Sequence, residues 1–519
     1  MAFEEVELKG SVHVQSGARS NGDSGQPAGS KEVRQRNQLE RYLNFFSTLA
    51  FSATLMASWE TVGGSMAAGL LNGGPAGIVY GMMFSTIGSV AVAASLAELA
   101  SVNPTAGAQY HWTYNLSPKS HRLFLSFFQG WVTVFSWCSL VCLAPFLIGN
   151  QILGLVTFNR ESYHIERYQG TLLTWAVLII PIIINIYARR VLAVIEVAAG
   201  IMHIVFLPVT IAVLVALAPR NPNEFVWNTF VSGISGWSSP GVAWAVGLLG
   251  VVTPLGGVDG VIHMAEEVKM ASKTVPRSMI WGTLTNGIMA FGYAIAILYC
   301  MGDYMEALTS PTGYPIITIV YQATGSKTAV NILMAMGLLP GWIALFNGLA
   351  SVTRLTWAFA RDNGLPLSDF FVHIDRKHKI PIRALFLVAT VVVLLSFIQI
   401  GSTAAFNAIL SISTLGLYVS YLIPLILLVI KRFREPQDIP RGVFHMGRWG
   451  LPVNLFAIAF AIYVSIFLPF PAQVPVTREN MNYAGPVLGA VMIFACVDWV
   501  VRGRKKWQGP TIVTHEDRR

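Results

Sequence analysis

Apolar residues fall into twelve long runs that are separated by short polar connections. The runs cover residues 43–71, 76–100, 123–154, 170–188, 191–218, 237–264, 277–301, 327–360, 382–399, 403–430, 450–470 and 483–501. A helix crosses a bilayer with about 20 residues, so each run is long enough to span. The longest connection has about 25 residues, which leaves no room for a separate catalytic domain. The pattern predicts an all-α polytopic membrane protein with twelve transmembrane helices.

Composition agrees with this pattern. The chain is 54% hydrophobic and only 12% charged, whereas soluble proteins contain about 25% charged residues. The mean hydropathy of +0.57 therefore excludes an ordinary soluble enzyme. A net charge of +9 also occurs in proteins that bind nucleic acid. Here, however, the basic residues cluster between apolar runs, which is typical of membrane proteins. We therefore predict contact with the lipid bilayer and no nucleic acid.

Lys and Arg are distributed unequally between the two sides of the predicted topology. On one side lie only five of the 35, namely Arg160, Arg167, Arg220, Lys327 and Arg478. Basic residues are enriched on the cytosolic side of membrane proteins. The count predicts that both termini are cytosolic.

Two apolar runs are interrupted by residues that a lipid-facing helix does not tolerate. The first contains Glu60 and the glycine pair at 63 and 64, and the sixth contains Pro254, Gly256, Gly257 and Asp259. Irregular backbone at membrane depth survives where it lines a cavity in the protein. Breaks about 195 residues apart, in runs one and six, predict two inverted five-helix repeats with a substrate site between them. Two kinked helices without a ligand are the alternative.

These features divide the chain into four parts. Residues 1–40 are polar, and this composition predicts a disordered cytosolic N-terminal tail. Residues 41–430 form the predicted transport core, with repeats at about 43–218 and 237–430. Helices 11 and 12 occupy 431–501, outside the repeats, and 502–519 form a cytosolic C-terminal tail.

Four motifs in order resemble one transporter superfamily. They are Asn72 to Pro75 (NGGP), Glu98 with Pro104 to Tyr110 (PTAGAQY), Gly257 to Asp259 with the downstream Glu266 and Glu267, and Ala360 to Pro366 (ARDNGLP). The chain resembles the amino acid, polyamine and organocation transporter superfamily, and within it the fungal branch that holds amino acid, GABA and choline permeases. The resemblance implies a LeuT-type fold, secondary active transport and a multi-pass protein of a fungal-type plasma membrane, with the vacuolar membrane as an alternative.

The resemblance also implies where substrate is bound, namely between the broken helices one and six, with helices three and eight closing the pocket. Many relatives have a Gly-Ser-Gly sequence whose amides bind a carboxylate, and this chain departs from it with Trp59, Glu60 and Thr61. The candidate substrate-binding residues are Ser58, Trp59, Glu60, Thr61, Gly63, Val252, Thr253, Pro254, Leu255, Gly256, Gly257, Trp137 and Asn347.

The first helix offers two chemically active side chains. Glu60 either pairs with a substrate ammonium, carries a transported proton, or caps the second half of the broken helix. Trp59 either faces a cation across its ring or packs against helix six.

Further residues are candidates for proton coupling and gating. His203 and Glu196 lie seven residues apart on one face of helix five, and with Glu60 they are the proton-coupling candidates because an imidazole titrates in the physiological range. Asp259 is a candidate for capping or structural pairing. Glu267 and Arg361, together with Glu266 and Asp362, form either an ion-pair latch or a solvated set of charges.

The leading hypothesis is a secondary transporter that imports a small amine or amino acid, such as GABA, choline or a related compound, by alternating access with a proton. The alternatives are a facilitator for choline or another quaternary ammonium, and a nutrient sensor that keeps the transporter fold. No Walker, HExxH or Ser/His/Asp pattern is present in the sequence. We therefore predict no enzymatic activity, no metal and no cofactor.

Overall fold

The computed structural model describes residues 41–160, 162–187, 189–401, 405–439, 441–478 and 480–511, with side chains undescribed at 189–193, 405, 406 and 438. The predicted N-terminal tail and residues 512–519 lie outside the described residues. Within these ranges the chain is helical, with one isolated parallel bridge between Leu43 and Val268.

The helices that build the bundle are numbered here in chain order. They are α1 (Phe45–Met56), α2 (Ser58–Leu71), α3 (Gly74–Val102), α4 (Gln109–Leu116), α5 (Arg122–Asn159), α6 (Arg167–Tyr187), α7 (Arg189–Leu217), α8 (Pro240–Gly247), α9 (Leu249–Val252), α10 (Ala271–Tyr299), α11 (Lys327–Arg361), α12 (Ile382–Ser396), α13 (Ala405–Arg434), α14 (Gly450–Phe467) and α15 (Ala484–Asp498). Shorter helices lie at Asn223–Asn228, Tyr304–Leu308, Pro315–Thr324, Ser368–Phe371, Ile398–Gly401 and Arg504–Lys506. The 3₁₀ turns cover Thr253–Leu255, Gly260–Glu267, Pro436–Asp438 and Gly447–Trp449, and Trp499–Gly503 is a π-helical turn.

Eleven helices in the described residues are long and apolar enough to cross a membrane. They coincide with predicted runs two to twelve. The first predicted run instead forms α1 and α2, of 12 and 14 residues, and neither reaches the length of a crossing alone.

The first break lies at Ala57. This residue has a left-handed backbone (φ 41°, ψ 53°) and both ends α1 and precedes α2. Asn44 and Ser47 form a capping box that defines the start of α1. The helix axis is thus interrupted three residues before Glu60, which confirms the predicted break in this run.

The second break follows α9. After the turn at Thr253–Leu255, Gly256 is extended (ψ 152°) and Gly257 has φ +83°, a conformation that glycine adopts without steric cost. The chain then resumes as a 3₁₀ helix at Gly260–Glu267.

The two broken segments pack directly on each other. Ser65 donates its hydroxyl to the Gly250 carbonyl at 2.7 Å, which joins α2 to α9. At the other end the amides of Tyr42 and Leu43 donate to the Glu267 carbonyl at 3.0 and 3.1 Å. The irregular backbone of both breaks is therefore covered by protein, as its location at membrane depth requires.

Candidate functional site

A pocket opens between the two breaks. Its walls come from the α1–α2 junction, from the face of α5 between Trp137 and Gln151, from the turn after α9, and from the α11 face at 337, 338, 341, 344, 345 and 348. The space amounts to about 740 Å³, part of it open to solvent. The walls are mostly aliphatic, and their polar side chains are Glu60, Thr61, Trp137, Gln151 and Thr253.

Five of the predicted substrate-binding residues line this pocket: Glu60, Thr61, Trp137, Thr253 and Gly256. Gly257 lies directly behind the wall, because a Cβ there would stand 3.1 Å from Leu140 and 3.5 Å from Trp137, and both of these residues face the pocket. This placement agrees with the prediction that the breaks in runs one and six converge on one pocket.

The other predicted residues of the first break point elsewhere. Ser58 donates to the Asn286 carbonyl on α10 at 3.0 Å, and Gly63 faces Tyr293 and Ile316. Successive helical positions differ by about 100°, so Glu60 and Thr61 face the pocket while Ser58 and Gly63 do not. Neither residue is a pocket wall in this structure.

Three residues of the second break and one of α11 also lie outside the walls. Val252, Pro254 and Leu255 are buried in the bundle. Asn347 donates to the Thr54 hydroxyl on α1 at 2.9 Å, whereas its neighbours Leu345 and Gly348 line the pocket. Contrary to the prediction, Asn347 fastens α11 to α1 because its helical position faces that helix.

Trp59 is buried behind α2 rather than in the pocket wall. Its indole nitrogen donates to the His203 carbonyl at 3.0 Å, and its ring meets Tyr293 edge-on at 5.3 Å. Its contacts are thus with α7 and α10, and a Cβ at Gly337 of α11 would stand 3.8 Å from the ring. This geometry orients the ring away from any ligand held between the two breaks.

Glu60 and His203 form a buried pair between α2 and α7. His203 Nδ1 lies 2.8 Å from Glu60 Oε1, and the two side chains are 1% and 4% exposed. Within the described part of the chain, Glu60 Oε2 and His203 Nε2 have no hydrogen-bond partner. Glu60 lies in the first turn of α2, where Ala57 is the cap residue and no described side chain forms a cap hydrogen bond, and its carboxylate is paired with His203 instead.

Glu196 lies on α7 and is 1% exposed. It stands about two helical turns from His203 on the same face. Among the described residues its Oε2 atom has no hydrogen-bond partner. The role of Glu196 in proton coupling therefore stays a prediction.

Asp259 contacts four buried side chains. Its carboxylate accepts hydrogen bonds from Gln109 on α4, Trp137 on α5 and Tyr421 on α13, and lies 3.2 Å from His263 Nε2. It occupies the cap position of the 3₁₀ helix without a side-chain cap bond. Of the two predicted roles, capping is wrong, and the structural pairing is present.

The predicted latch residues pair with different partners. Arg354 Nε donates to Glu267 Oε1 at 2.8 Å, and both side chains are buried. Arg361 donates to both carboxylate oxygens of Glu266 at 2.9 and 3.0 Å. Two separate ion pairs therefore join α11 to the chain after the second break, and Glu267 and Arg361 do not contact each other as a pair.

The sequence hypothesis missed three residues of this region. Gln151 lines the pocket, Tyr293 packs on Trp59, and Arg354 is the partner of Glu267. A lone Gln and a lone Arg within apolar runs were visible signals, since polar residues at membrane depth are costly and usually functional. Among the described residues, no group of three His, Cys, Asp or Glu side chains is placed to hold a metal.

A family model described as "Amino acid permease" matches residues 43–493 of this sequence. The chain belongs to the amino acid permease family. This is a family of multi-pass membrane transporters within the amino acid, polyamine and organocation superfamily, whose fold is LeuT-like. The resemblance inferred from the four motifs is confirmed, and the family is one of transporters rather than enzymes.

Curated relatives agree with this assignment. A putative amino acid/polyamine transporter of Macrophomina phaseolina is 30% identical over 84% of this chain and 96% of its own length. The choline transporter of Saccharomyces cerevisiae is 28% identical over 90% of this chain and 83% of its own. The GABA-specific permease of the same yeast is 25% identical, with coverage of 94% and 86%.

Proposed function

We propose that this permease imports a small amine or amino acid in symport with a proton, across a plasma membrane with both termini in the cytosol. The observation that carries the proposal is the Glu60–His203 pair at the edge of an otherwise mostly aliphatic pocket. Glu60 Oε2 is a buried acceptor without a donor among the described residues, and leaving a buried acceptor unpaired costs free energy. A substrate ammonium at that oxygen is such a donor.

The proposed architecture has twelve crossings. Helices α1 and α2 together form the first, and the segments at 43–218 and 237–430 are the inverted repeats, with α14 and α15 outside them. The two observed breaks support this arrangement, because each occurs in the first crossing of its repeat.

The ion pairs Glu267–Arg354 and Glu266–Arg361 are the proposed cytosolic gate. They lie at the end of the bundle where α11 finishes, whereas the pocket walls on α11 begin at Gly337, in its earlier part. The conformation is thus proposed to be closed to the cytosol and accessible from outside.

A facilitator for a quaternary ammonium is the second candidate. It is favoured by the Trp137 ring in the pocket wall and by the absence of Lys and Arg from the wall residues in the described part of the chain. One relative is named a choline transporter. A quaternary nitrogen cannot donate to Glu60 Oε2, so this candidate makes the carboxylate a purely electrostatic partner.

Uptake into proteoliposomes tests the proposal and separates it from sensing. Labelled 4-aminobutyrate and choline are supplied with and without an imposed inward proton gradient. Accumulation that depends on the gradient supports proton symport, and gradient-independent equilibration of choline supports the facilitator. A protein that binds one of these ligands without moving it would act as a sensor.

His203 is expected to make uptake depend on external pH. Uptake should rise as the external solution is made more acidic, because an inward proton gradient supplies the proton that the Glu60–His203 pair is proposed to carry. His203→Ala should flatten this profile. Substrate counterflow, which needs no net proton movement, should persist in the variant. If His203→Ala still shows gradient-driven, pH-dependent uptake, His203 does not carry the proton, and the role is assigned to Glu60.

A further inference from the structure

Gln151 is a buried polar side chain of the pocket that no proposed step uses. It is 4% exposed and lines the cavity. Its carboxamide makes no hydrogen bond to any described residue and faces the cavity rather than being enclosed by protein, so water or a ligand must satisfy its two donors and its acceptor. The group therefore has its full hydrogen-bonding capacity available to a ligand.

The position of Gln151 relative to Glu60 follows from α2. The Gln151 carboxamide rests against Gly64, where a Cβ would overlap its Nε2 atom and would stand 2.7 Å from Leu147. Gly64 follows Glu60 by four residues, so the two positions lie on one helical face about 6 Å apart along the axis. Thr61 lines the pocket beside them.

We infer that Gln151 is a specificity-determining residue that binds the distal polar end of the substrate while Glu60 binds its amine. The inference rests on the proposed function and adds a substrate class to it. The helical rise of about 6 Å from Glu60 to Gly64, which the Gln151 amide contacts, corresponds to about four or five single bonds of about 1.5 Å each. The favoured ligand is an amine that carries a carboxylate or hydroxyl at that distance. The amide donates to this oxygen, and an aliphatic amine of equal length leaves the amide unpaired.

Thermal unfolding of the purified permease tests this with three probes of similar length: 4-aminobutyrate, 4-amino-1-butanol and butylamine. A ligand that binds only the folded state raises the unfolding temperature by an amount set by its concentration relative to its Kd, so titration yields the Kd. Wild type should bind both polar-ended probes more tightly than butylamine. Gln151→Met should weaken only those two, by about 3- to 10-fold, the value of one neutral hydrogen bond. Gln151→Glu should weaken 4-aminobutyrate and spare the alcohol, because only the carboxylate is repelled.

Asn159→Met is the matched control, since Asn159 carries a carboxamide on the same helix but is exposed and lies outside the pocket wall. Equal binding of butylamine and the polar-ended probes to wild type would overturn the inference while leaving amine transport intact. Equal losses for all three probes in Gln151→Met would overturn it too. Failure of every probe to bind wild type would overturn the substrate class, and the uptake assay would then decide the proposed function separately.

A second inference rests on the C-terminal segment, residues 499–511. Trp507 is 3% exposed and inserts among the rings of Tyr110, Phe127 and Phe359 at 5.9, 5.6 and 5.5 Å. The Thr511 amide donates to Asp362 Oδ1 at 3.2 Å. Residues 502–511, predicted as part of a tail, are thus packed against the bundle.

The segment reaches the proposed cytosolic gate directly. Asp362 also accepts the Tyr110 hydroxyl at 2.8 Å, and it follows Arg361, the partner of Glu266. Opening this end requires α11 to move relative to its neighbours, which separates the rings that enclose Trp507. We propose that the C-terminal segment braces the gate in its closed state, so that loosening it favours the inward-facing state.

A cysteine at Ser351 reports on gate opening, because Ser351 is buried beneath the gate and donates to the Gly260 carbonyl. Cys496 is exposed and is replaced by Ser in this background. A membrane-impermeant maleimide is applied to inside-out vesicles. Trp507→Ala should speed labelling about 5-fold or more, and Trp507→Phe should restore the slow rate by refilling the aromatic site.

Thr511→Pro gives a second variant that leaves the aromatic cluster intact, because it removes only the amide donor to Asp362. It should also speed labelling. Trp449→Ala is the control, since Trp449 is 63% exposed. Labelling rates in Trp507→Ala and Thr511→Pro that equal that of the control would overturn the brace.

Discussion

Glu60→Gln is expected to abolish concentrative uptake. The carboxamide keeps the shape of the side chain and removes the charge that faces His203 Nδ1 at 2.8 Å. Loss of the charged partner of a desolvated substrate ammonium costs about 2–5 kcal/mol of binding free energy. The initial rate of uptake should therefore fall at least about 30-fold, with the amount of protein in the membrane unchanged.

Glu224→Gln is the matched control, because Glu224 is exposed on the short helix Asn223–Asn228 and should transport as wild type. Counterflow by Glu60→Gln then separates the two roles of the carboxylate. Loss of counterflow means that Glu60 binds the ammonium, and retained counterflow without concentrative uptake means that it carries only the proton. If Glu60→Gln takes up substrate at the wild-type rate, Glu60 is not part of the binding or coupling site.

Arg354→Met is expected to destabilise the protein more than any other single change at the gate. The methionine preserves much of the side-chain volume but leaves the Glu267 carboxylate, which is fully buried, without its cation. Breaking a buried ion pair from one side costs about 3–5 kcal/mol. The midpoint of thermal unfolding in detergent should fall markedly below that of wild type.

A double-mutant cycle identifies the cause. Arg354→Met combined with Glu267→Gln removes both charges, and it should recover most of the loss because no unpaired charge remains buried. Arg361→Met is the comparison, because the Arg361 and Glu266 side chains are 22% and 26% exposed and water solvates the remaining carboxylate. A double variant as unstable as Arg354→Met would mean that Arg354 acts through packing rather than charge.

Several features of the fold follow from local sequence alone. Each apolar run carries its own signal for a crossing, because the transfer of about 20 residues into lipid is close to additive. The breaks were also predictable, since Glu60, Pro254 and the glycines cannot continue a helix in lipid without protein cover. Runs two to twelve and both breaks are where the pattern predicts them.

The partners of the polar side chains were not predictable in this way. Asp259 accepts from Gln109, Trp137 and Tyr421, which come from three different helices, and no local pattern links those positions. The same holds for Arg354, which appears in the sequence as one more basic residue near the end of a run. Helices that are apolar all round carry no periodicity that says which face turns inward.

The sequence by itself therefore determined that this is a helical membrane transporter, and that its first and sixth runs are interrupted. Tertiary structure decided which residues of those interruptions meet a ligand. Glu60 and Thr61 reach the pocket while Trp59 turns towards His203, and Gln151 faces Gly64 across two helices. The physical reason is that membrane insertion depends on local composition, whereas a site depends on how helix faces are rotated against each other, and packing alone sets that rotation.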